Sequence, residues 1–407
     1  MNKTNKTIKN AIIALNLSNR GSSGTIMNAA LKGALPLGNT DVYKIIPEGD
    51  ESQNTFCYAN KETRLLSFVK ELFYKFHSYK PIDGTYFNFY TKKVIRHISK
   101  IASCHKKTII HIHNIHHSQL NIFKLLSYLA RKKYEVVMTI HDAWFYTGGC
   151  YCYDHIGCTD WQRSCENCIQ HCKHSKKLLK KKIKYLEKIK NLHLIAVSRW
   201  VKEQLLLSNL KNRSIEIIYG CTDINAPDEK SKYDFGIESV NKKILISVSD
   251  YWNDWKGIKH LQELSLMLPN DYRLVLVGGN VDLSKFRNTS HIHQINDRTE
   301  LARIYSSADL YISASKTETL GLSTCEAQIC GCPVVTFGCG GSKETVAHGI
   351  SGYIISDQKI STMLSNIVKI IETKPFKKDD IYKNGQKFNT EVCSEKYSRL
   401  YSRLTNN

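Results

Sequence analysis

The sequence predicts an α/β protein built from two doubly wound, parallel-sheet domains that face each other across a cleft. Three observations carry the prediction. A strand, loop, helix order recurs along the chain, the pattern of parallel sheets covered by helices. The recurrence falls into two rounds, parted by the polar stretch 226–232 with its Pro-Asp-Glu-Lys. And 407 residues suit two domains that each bury a core of their own. The expected division is 1–230, carrying a cysteine-rich loop at 147–172, then 231–380, then a C-terminal helix over 381–407.

In the first round, 11–17 reads as a strand, the small residues from Gly21 to Gly24 as a turn, and 26–31 as the start of a helix, the order of a dinucleotide-type half domain. Apolar runs at 108–112, 136–140, 193–197 and 215–219 predict further strands, with helices at 123–131 and 200–207. The second round starts with a strand at 243–248. Strands at 273–277, 310–313 and 333–336 continue it, each followed by helical patterning. Beyond it, Phe388, Val392, Tyr397, Leu400 and Tyr401 recur at helical intervals within 380–404.

The formal charge of +21 implies an acidic partner: nucleic acid, an anionic membrane surface, or phosphorylated small molecules. Its densest stretch is 173–190, where nine lysines surround Leu178, Leu179, Ile183, Tyr185, Leu186 and Ile189 at largely helical spacing. Such a helix either covers the core with its lysines solvated or meets an anionic bilayer. The apolar run 11–15 is too short for a signal-peptide core, and nowhere do about 20 apolar residues run together, so the expectation is a cytoplasmic protein. Fourteen cysteines, several at metal-like spacing and the rest in apolar segments, fit a reducing compartment better than a disulfide scaffold.

Most of the functional information lies in one pattern: Glu318-Thr-Leu-Gly321-Leu322-Ser-Thr-Cys-Glu326, then Gly331-Cys-Pro333, then Gly340-Gly341-Ser-Lys-Glu344. A glycine loop can set backbone amides against a phosphate, here at Gly321 and Leu322 on a helix start, while the two carboxylates reach different sugar hydroxyls. That combination is what a nucleotide-sugar site needs. With Glu318 in the loop and Glu326 inside the following helix, the carboxylates diverge, unlike a hydrolase pair flanking one bond at about 5 to 9 Å.

Moving a sugar off a nucleotide diphosphate is a charge problem, because a pyrophosphate departs and the sugar becomes oxocarbenium-like. Lys256, after a strand and loop, can place a point charge on the diphosphate. His141 ends the apolar strand 136–140, so it sits at a carboxyl end, where open α/β sheets hold ligands. His113, Asn114 and His116 end another strand and are expected in the same cleft, either touching the acceptor or standing behind the residues that do. Gly21 and Gly24 either let the backbone approach phosphate or make a tight turn. No Ser-His-Asp order, Walker lysine loop or flavin fingerprint accompanies these motifs.

Through Trp255-Lys256-Gly257, the 318–326 motif, and Gly340 to Glu344 followed by Gly349 and Gly352, the C-terminal half resembles the glycosyltransferase family 4 enzymes of the GT-B fold. The N-terminal half is similar to the branch of that family found in bacterial exopolysaccharide, colanic-acid-type and capsule assembly. Its carriers are Gly21-Ser-Ser-Gly24-Thr25, Ile112-His113-Asn114-Ile115-His116, Thr139-Ile-His141-Asp142-Ala-Trp144 and the segment from Thr147 to Cys168. The motifs follow the expected order over nearly the whole chain.

The resemblance implies two Rossmann-like domains with the C-terminal helix crossing back onto the first. It implies retaining transfer of a sugar from a UDP- or GDP-sugar to a hydroxyl of a glycan or lipid-linked oligosaccharide, in capsule, lipopolysaccharide or other surface polysaccharide biosynthesis. Glu326 is then the ribose-binding carboxylate, Glu318 the one at the donor sugar and reacting centre, and His141 the residue that reaches the donor sugar across the cleft. The loop from Gly21 to Gly24 faces the diphosphate and acceptor. No cofactor is expected for catalysis, since a lysine fills the charge-balancing role of a metal. A lipid-linked acceptor, with the basic stretch 173–190, implies a peripheral place on the inner face of the cytoplasmic membrane. One departure stands out: the family sets a basic residue a few positions before the lysine, whereas 249–255 here reads Ser-Asp-Tyr-Trp-Asn-Asp-Trp, leaving Lys316 or Lys343 to supply charge.

Cys150, Cys152, Cys158, Cys165, Cys168 and Cys172 cluster with His155, His171 and His174. Cys165-x-x-Cys168 with an upstream pair can make a tetrahedral zinc site, and the resemblance selects Cys150, Cys158, Cys165 and Cys168 as ligands of a structural zinc; reduced thiols packed in a loop are the alternative. Two other function classes fit parts of the chain. A nucleotide-sugar epimerase of the same fold shares the cleft but lacks an acceptor. A nucleic-acid-binding module uses the cysteine cluster and basic stretch but leaves the carboxylates and glycine loops unexplained, so no nucleic acid is expected.

Overall fold

The structure, a computed structural model, describes residues 8–59, 88–116, 120–166, 168, 174–228, 232–236 and 242–406. The first sheet has seven strands: β1 (Asn10–Leu15), β2 (Thr40–Ile46), β3 (Thr55–Cys57), β4 (Thr108–Ile112), β5 (Glu135–Ile140), β6 (Leu192–Ala196) and β7 (Ser214–Ile217). Their spatial order is β3-β2-β1-β4-β5-β6-β7. The second sheet has six: β8 (Lys243–Val248), β9 (Tyr272–Val277), β10 (Thr289–Ile292), β11 (Leu310–Ser313), β12 (Val334–Phe337) and β13 (Gly352–Ile355), ordered β10-β9-β8-β11-β12-β13. Neighbouring strands pair in parallel throughout both sheets. Strand order reverses between β1 and β4 in one sheet and between β8 and β11 in the other. Ligands of open α/β sheets bind outside the carboxyl ends at such reversals.

Helices on both faces explain why the central strands read as unbroken apolar runs. Ile13, Leu15, Ile110 and Met138 enter one core while Ile12, Ala14, Ile109 and Val137 enter another, the two-residue alternation of a pleated strand. Among the described residues the first domain's helices are α1 (Gly21–Ala34), α2 (Asn88–Ser103), α3 (Ile122–Ala130), α4 (Ser175–Glu187) and α5 (Arg199–Leu207). The second sheet carries α6 (Ile258–Met267), α7 (Arg298–Ser307), α8 (Leu322–Ile329), α9 (Ile360–Thr373) and α10 (Lys378–Gly385). Asn121 and Ser198 cap α3 and α5 by accepting from the amides of Lys124 and Val201, each at 3.0 Å.

The last helix, α11 (Thr390–Asn406), crosses back onto the first domain, as expected. Its Cys393, Tyr397, Leu400, Tyr401 and Leu404 share a core with Ile12, Met27, Ile109 and Val137. Gly33 of α1 makes that crossing close: a Cβ there would lie 2.1 Å from the Ser394 carbonyl oxygen. The helix expected over 381–407 is interrupted at Asn389, whose side chain accepts from the Val392 amide at 2.9 Å.

Two further expectations are corrected. The segment from Gly21 to Gly24 is the first turn of α1, not a separate turn, and Gly24 there lies against Asn19, whose carbonyl carbon a Cβ would approach to 2.6 Å. The basic helix is shorter than 173–190, and Lys182 points inward: it is fully buried, 3.8 Å above the Trp144 ring centroid, and donates to the Trp144 carbonyl. Among the described residues no helix is long and apolar enough to cross a membrane. Residues 229–231 of the expected linker, and Lys173, lie outside the described residues.

Candidate functional site

The two sheets point loops at a shared cleft of about 150 Å³. His141, Asp142 and Tyr153 line it from the first domain; Trp255, Lys256 and Glu318 line it from the second. The predicted catalytic trio of Glu318, Lys256 and His141 is thus brought together. Gly21, Gly24 and Glu326 are not among the lining residues.

Lys256 stands in the loop that leaves β8, and Glu318 in the loop that leaves β11, so the pair straddles the strand reversal. Three contacts fix the lysine. Its amide donates to Asn253 Oδ1 at 3.0 Å, the Lys316 amide donates to the Trp255 carbonyl at 2.8 Å, and Gly257 (φ +77°) lies where a Cβ would meet the Ala314 carbonyl oxygen at 2.0 Å. Glu318 is held by the glycine pair. Cβ atoms on Gly340 and Gly341 would come within 2.1 and 2.2 Å of the Glu318 and Thr319 carbonyl oxygens, and the Gly341 amide donates to the Glu318 carbonyl at 2.8 Å. Lys256 Nζ then reaches Glu318 Oε1 at 2.7 Å. Burial works against the lysine's charge, but the Glu318 carboxylate outweighs it and holds the ammonium above its ordinary pKa.

Glu318 leads into α8 through Gly321, whose φ of +91° suits glycine alone, and the amides at 321 and 322 open the helix. Glu326 sits on the buried side of α8, 9 % exposed. Arg298 Nη2 and Thr222 Oγ1 donate to its Oε1 at 2.7 and 2.9 Å, and Tyr305 donates to Oε2 at 3.0 Å. Arg298 also meets Asp223 at 2.9 Å. Sequence reasoning missed Arg298, and it assigned no chemistry to Asp223. The one local signal is that Arg298 opens α7 behind its cap Asp297, whose carboxylate accepts from the Thr299 amide at 2.8 Å.

The absent basic residue before Lys256 is not replaced by a free Lys316. Lys316 Nζ lies 2.9 Å from Asp254 Oδ2, within the same loop pair. Lys343 is exposed. Glu344 of the glycine motif joins the domains: it accepts from the Arg199 and Trp200 amides of α5 at 2.9 and 2.8 Å and from Tyr219 Oη at 2.9 Å.

The histidines form a layer behind the cleft. In the register of β4 and β5 His111 lies opposite Val137 and reaches Thr139, two residues further along β5, diagonally; His113 and His141, just past the ends of the same strands, meet with the same offset. His111 bonds Tyr401 Oη at 2.6 Å and Thr139 Oγ1 at 2.8 Å, Thr139 bonds Tyr397 Oη at 2.8 Å, and His113 Nδ1 lies 2.9 Å from His141 Nε2. Burial lowers His141 to about 4 against the opposing pull of Asp142, lowers His111 to about 3, and takes His113 well below the ordinary histidine value. His113 is fully buried, so it stands behind His141 and does not face the cleft. His116 is also buried, 3.2 Å from Asp142 Oδ2 and stacked on Trp144, and the Asn114 amide donates to Asn16 Oδ1 at 3.1 Å.

In the cysteine loop, Cys150 Sγ and Cys168 Sγ approach to 3.6 Å, close to the roughly 3.8 Å that two thiolates on one tetrahedral zinc would keep. Cys165 Sγ instead accepts from the Gly148 amide at 3.0 Å, and burial pushes its thiol up to about 11. Among the described residues no three His, Cys, Asp or Glu side chains are already arranged to hold a metal ion. Cys172 and His171 lie outside the described residues.

Residues 242–373 match the family model of the glycosyl transferases group 1. Among curated proteins, the N,N'-diacetylbacillosaminyl-diphospho-undecaprenol alpha-1,3-N-acetylgalactosaminyltransferase of Campylobacter jejuni is 22% identical over 179 residues, 42% of this chain and 47% of that protein. The chain spans about half the length of the curated relatives it matches. Among solved structures, sucrose-phosphate synthase from Thermosynechococcus elongatus superposes with a TM-score of 0.70 at 16% identity, covering 98% of this chain and 100% of that one. Anabaena HepE in complex with UDP-glucose gives 0.61 at 15% identity, covering 97% and 99%. With two parallel-sheet domains and a crossing C-terminal helix the chain has the GT-B fold, and residues 242–373 of its second domain are similar to the group 1 glycosyl transferases.

Proposed function

We propose that the protein transfers a sugar from a nucleoside-diphosphate sugar to a hydroxyl acceptor, with retention of configuration at the anomeric carbon. The observation that carries this reading is the Lys256–Glu318 ion pair, facing His141 across the interdomain cleft. When a donor enters, its diphosphate takes the place of Glu318 at Lys256 Nζ, and the freed carboxylate turns to the sugar hydroxyls. The amides of Gly321 and Leu322, at the positive end of α8, add donors to the same phosphate. The anomeric carbon–phosphate oxygen bond breaks, the carbon bonds the acceptor oxygen, and the acceptor proton passes to the departing phosphate. No protein nucleophile is needed for that sequence.

Glu326 serves the ribose in this reading, with Arg298 orienting it. The UDP-glucose bound by HepE supports a UDP-sugar donor, and the diphospho-undecaprenol acceptor named for the Campylobacter relative supports a lipid-linked acceptor in surface polysaccharide assembly. The exposed Lys177, Lys180, Lys181 and Lys184 of α4, with Lys188 just past its end, suit an anionic membrane surface on the cytoplasmic side. Catalysis requires no cofactor here; a zinc ion on the cysteine loop would be structural, and elemental analysis of the purified protein tests for it.

The deciding experiment is a thermal-shift panel of nucleoside diphosphates and their sugars. One base should stabilise the wild type and fail to stabilise Lys256→Ala and Glu326→Ala. If no nucleotide shifts the wild type, the transferase reading fails.

A further inference from the structure

We propose that His113 is a positioning residue that fixes His141 as its Nδ1–H tautomer, so that an uncharged histidine presents a hydrogen-bond donor to the cleft. The inference deepens the transferase reading and rests on it for what the donor meets; the tautomer itself does not depend on any activity.

His113 and His141 share one proton. His113 Nδ1 and His141 Nε2 are 2.9 Å apart, so one of the two must carry the hydrogen. Burial keeps both rings neutral near pH 7, so each has a single N–H. If His141 donated from Nε2, the proton of His113 would have to sit on its own Nε2. That atom is buried and, among the described residues, has no hydrogen-bond partner. A buried N–H with nothing to receive it is a rare and costly arrangement, and a bare ring nitrogen is tolerated better. His113 therefore donates from Nδ1, and the proton of His141 is displaced to its Nδ1.

The geometry around the pair keeps it in that state. His111 lies behind His113, with ring centroids 4.0 Å apart, and is itself pinned by Tyr401 and Thr139. Asp142 and His116 flank His141, Tyr397 closes the layer through Thr139, and Lys256 and Glu318 face it across the cleft. Among the described residues the Nδ1 atom of His141 has no protein hydrogen-bond partner, and the residue lines the cleft. A neutral donor there can bond a sugar or phosphate oxygen without adding charge beside Lys256. With the other tautomer the same atom would be an acceptor, and it would repel those oxygens.

The test is long-range proton–nitrogen NMR of the full-length, ligand-free protein labelled with 15N-histidine, with His141 assigned by its loss in His141→Asn. Protonated Nδ1 and bare Nε2 at His141 are expected; the reverse overturns the proposal whether or not any sugar is transferred. Three variants extend it to function. In His113→Asn the amide nitrogen occupies the Nδ1 position and can still donate, so kcat/KM should stay close to wild type. His113→Leu removes the donor and His113→Asp offers an acceptor; both should lose about 10- to 100-fold in kcat/KM, and the Asp variant should shift the acidic limb of its pH profile upward. Equal loss in the Asn and Leu variants would overturn the proposal. Absence of transfer by the wild type, with the NMR result intact, would instead count against the transferase reading.

Discussion

Lys256 Nζ and Glu318 Oε1 meet at 2.7 Å although the residues are 62 apart in sequence. Two glycine contacts, Gly257 on Ala314 and Gly340 on Glu318, bring their loops together. A half-buried cation paired with a replaceable carboxylate is pre-set to receive a diphosphate. Lys256→Ala should therefore lower kcat/KM by about 10²- to 10³-fold, the scale of losing one fixed electrostatic group at a developing charge. Lys256→Arg keeps the charge and should lose less. Steady-state kinetics with the donor found in the thermal-shift panel checks both, and an unaltered kcat/KM in the Ala variant would remove Lys256 from the mechanism.

Arg298 is the main ionic partner of a carboxylate that is nearly inaccessible to water. Arg298→Ala leaves Glu326 with Thr222 and Tyr305, a loss expected to cost roughly 1–3 kcal/mol of folding stability, the Arg side chain itself being partly exposed. Adding Glu326→Gln to Arg298→Ala removes the stranded charge. The double variant should then be less destabilised than the sum of the single ones. Denaturant unfolding of the four proteins measures this, and strict additivity would mean that the pair does not interact.

These partners show what was legible in the sequence and what was not. The strands β4, β8 and β11 stand where the apolar runs place them, because strands covered on both faces carry unbroken apolar residues. The strands β3, β10 and β13 were missed: they are short edge strands, and residues such as Thr289-Ser290-His291 give little pattern. β2, next to an edge, was also missed, its run broken by Asp41 and Lys44. Lys256, Glu318 and His141 were legible because each follows such a run at a carboxyl end. Arg298 with Glu326, Glu344 with the start of α5, and His111 with Tyr401 were not, since nothing local marks a contact between residues 28, 145 and 290 positions apart.

Glu344 caps a helix that belongs to the other domain. Its carboxylate receives two amides that α5 would otherwise leave without an intrahelical acceptor, so it acts at once as a cap and as a domain contact. Glu344→Ala should cost about 1 kcal/mol of stability and speed hydrogen exchange at the Arg199 and Trp200 amides. Exchange at the Val201 amide, capped by Ser198 within its own domain, serves as the internal control. Unchanged exchange at 199 and 200 would show that water replaces the carboxylate at no cost.

The buried histidine layer sets a pH dependence whose sign follows from its direction. A histidine whose folded pKa lies below its unfolded value of about 6.5 binds fewer protons folded than unfolded in the interval between them. Falling pH then favours the unfolded chain. With His141 lowered to about 4, His111 to about 3 and His113 well down, stability should be full above about pH 6.5 and fall steadily below it. The loss is about 1–2 kcal/mol per buried histidine between pH 7 and 5, with the smallest share from His141, whose ring reaches the cleft. Asp142 beside the layer is held below the usual carboxylate range: burial alone would raise it, but His116 beside it prevails. Urea unfolding at pH 7 and 5 should show the loss in wild type and a smaller one in His113→Asn, which removes one of the protons taken up. A stability that does not change between those pH values would mean that the layer admits water and titrates normally.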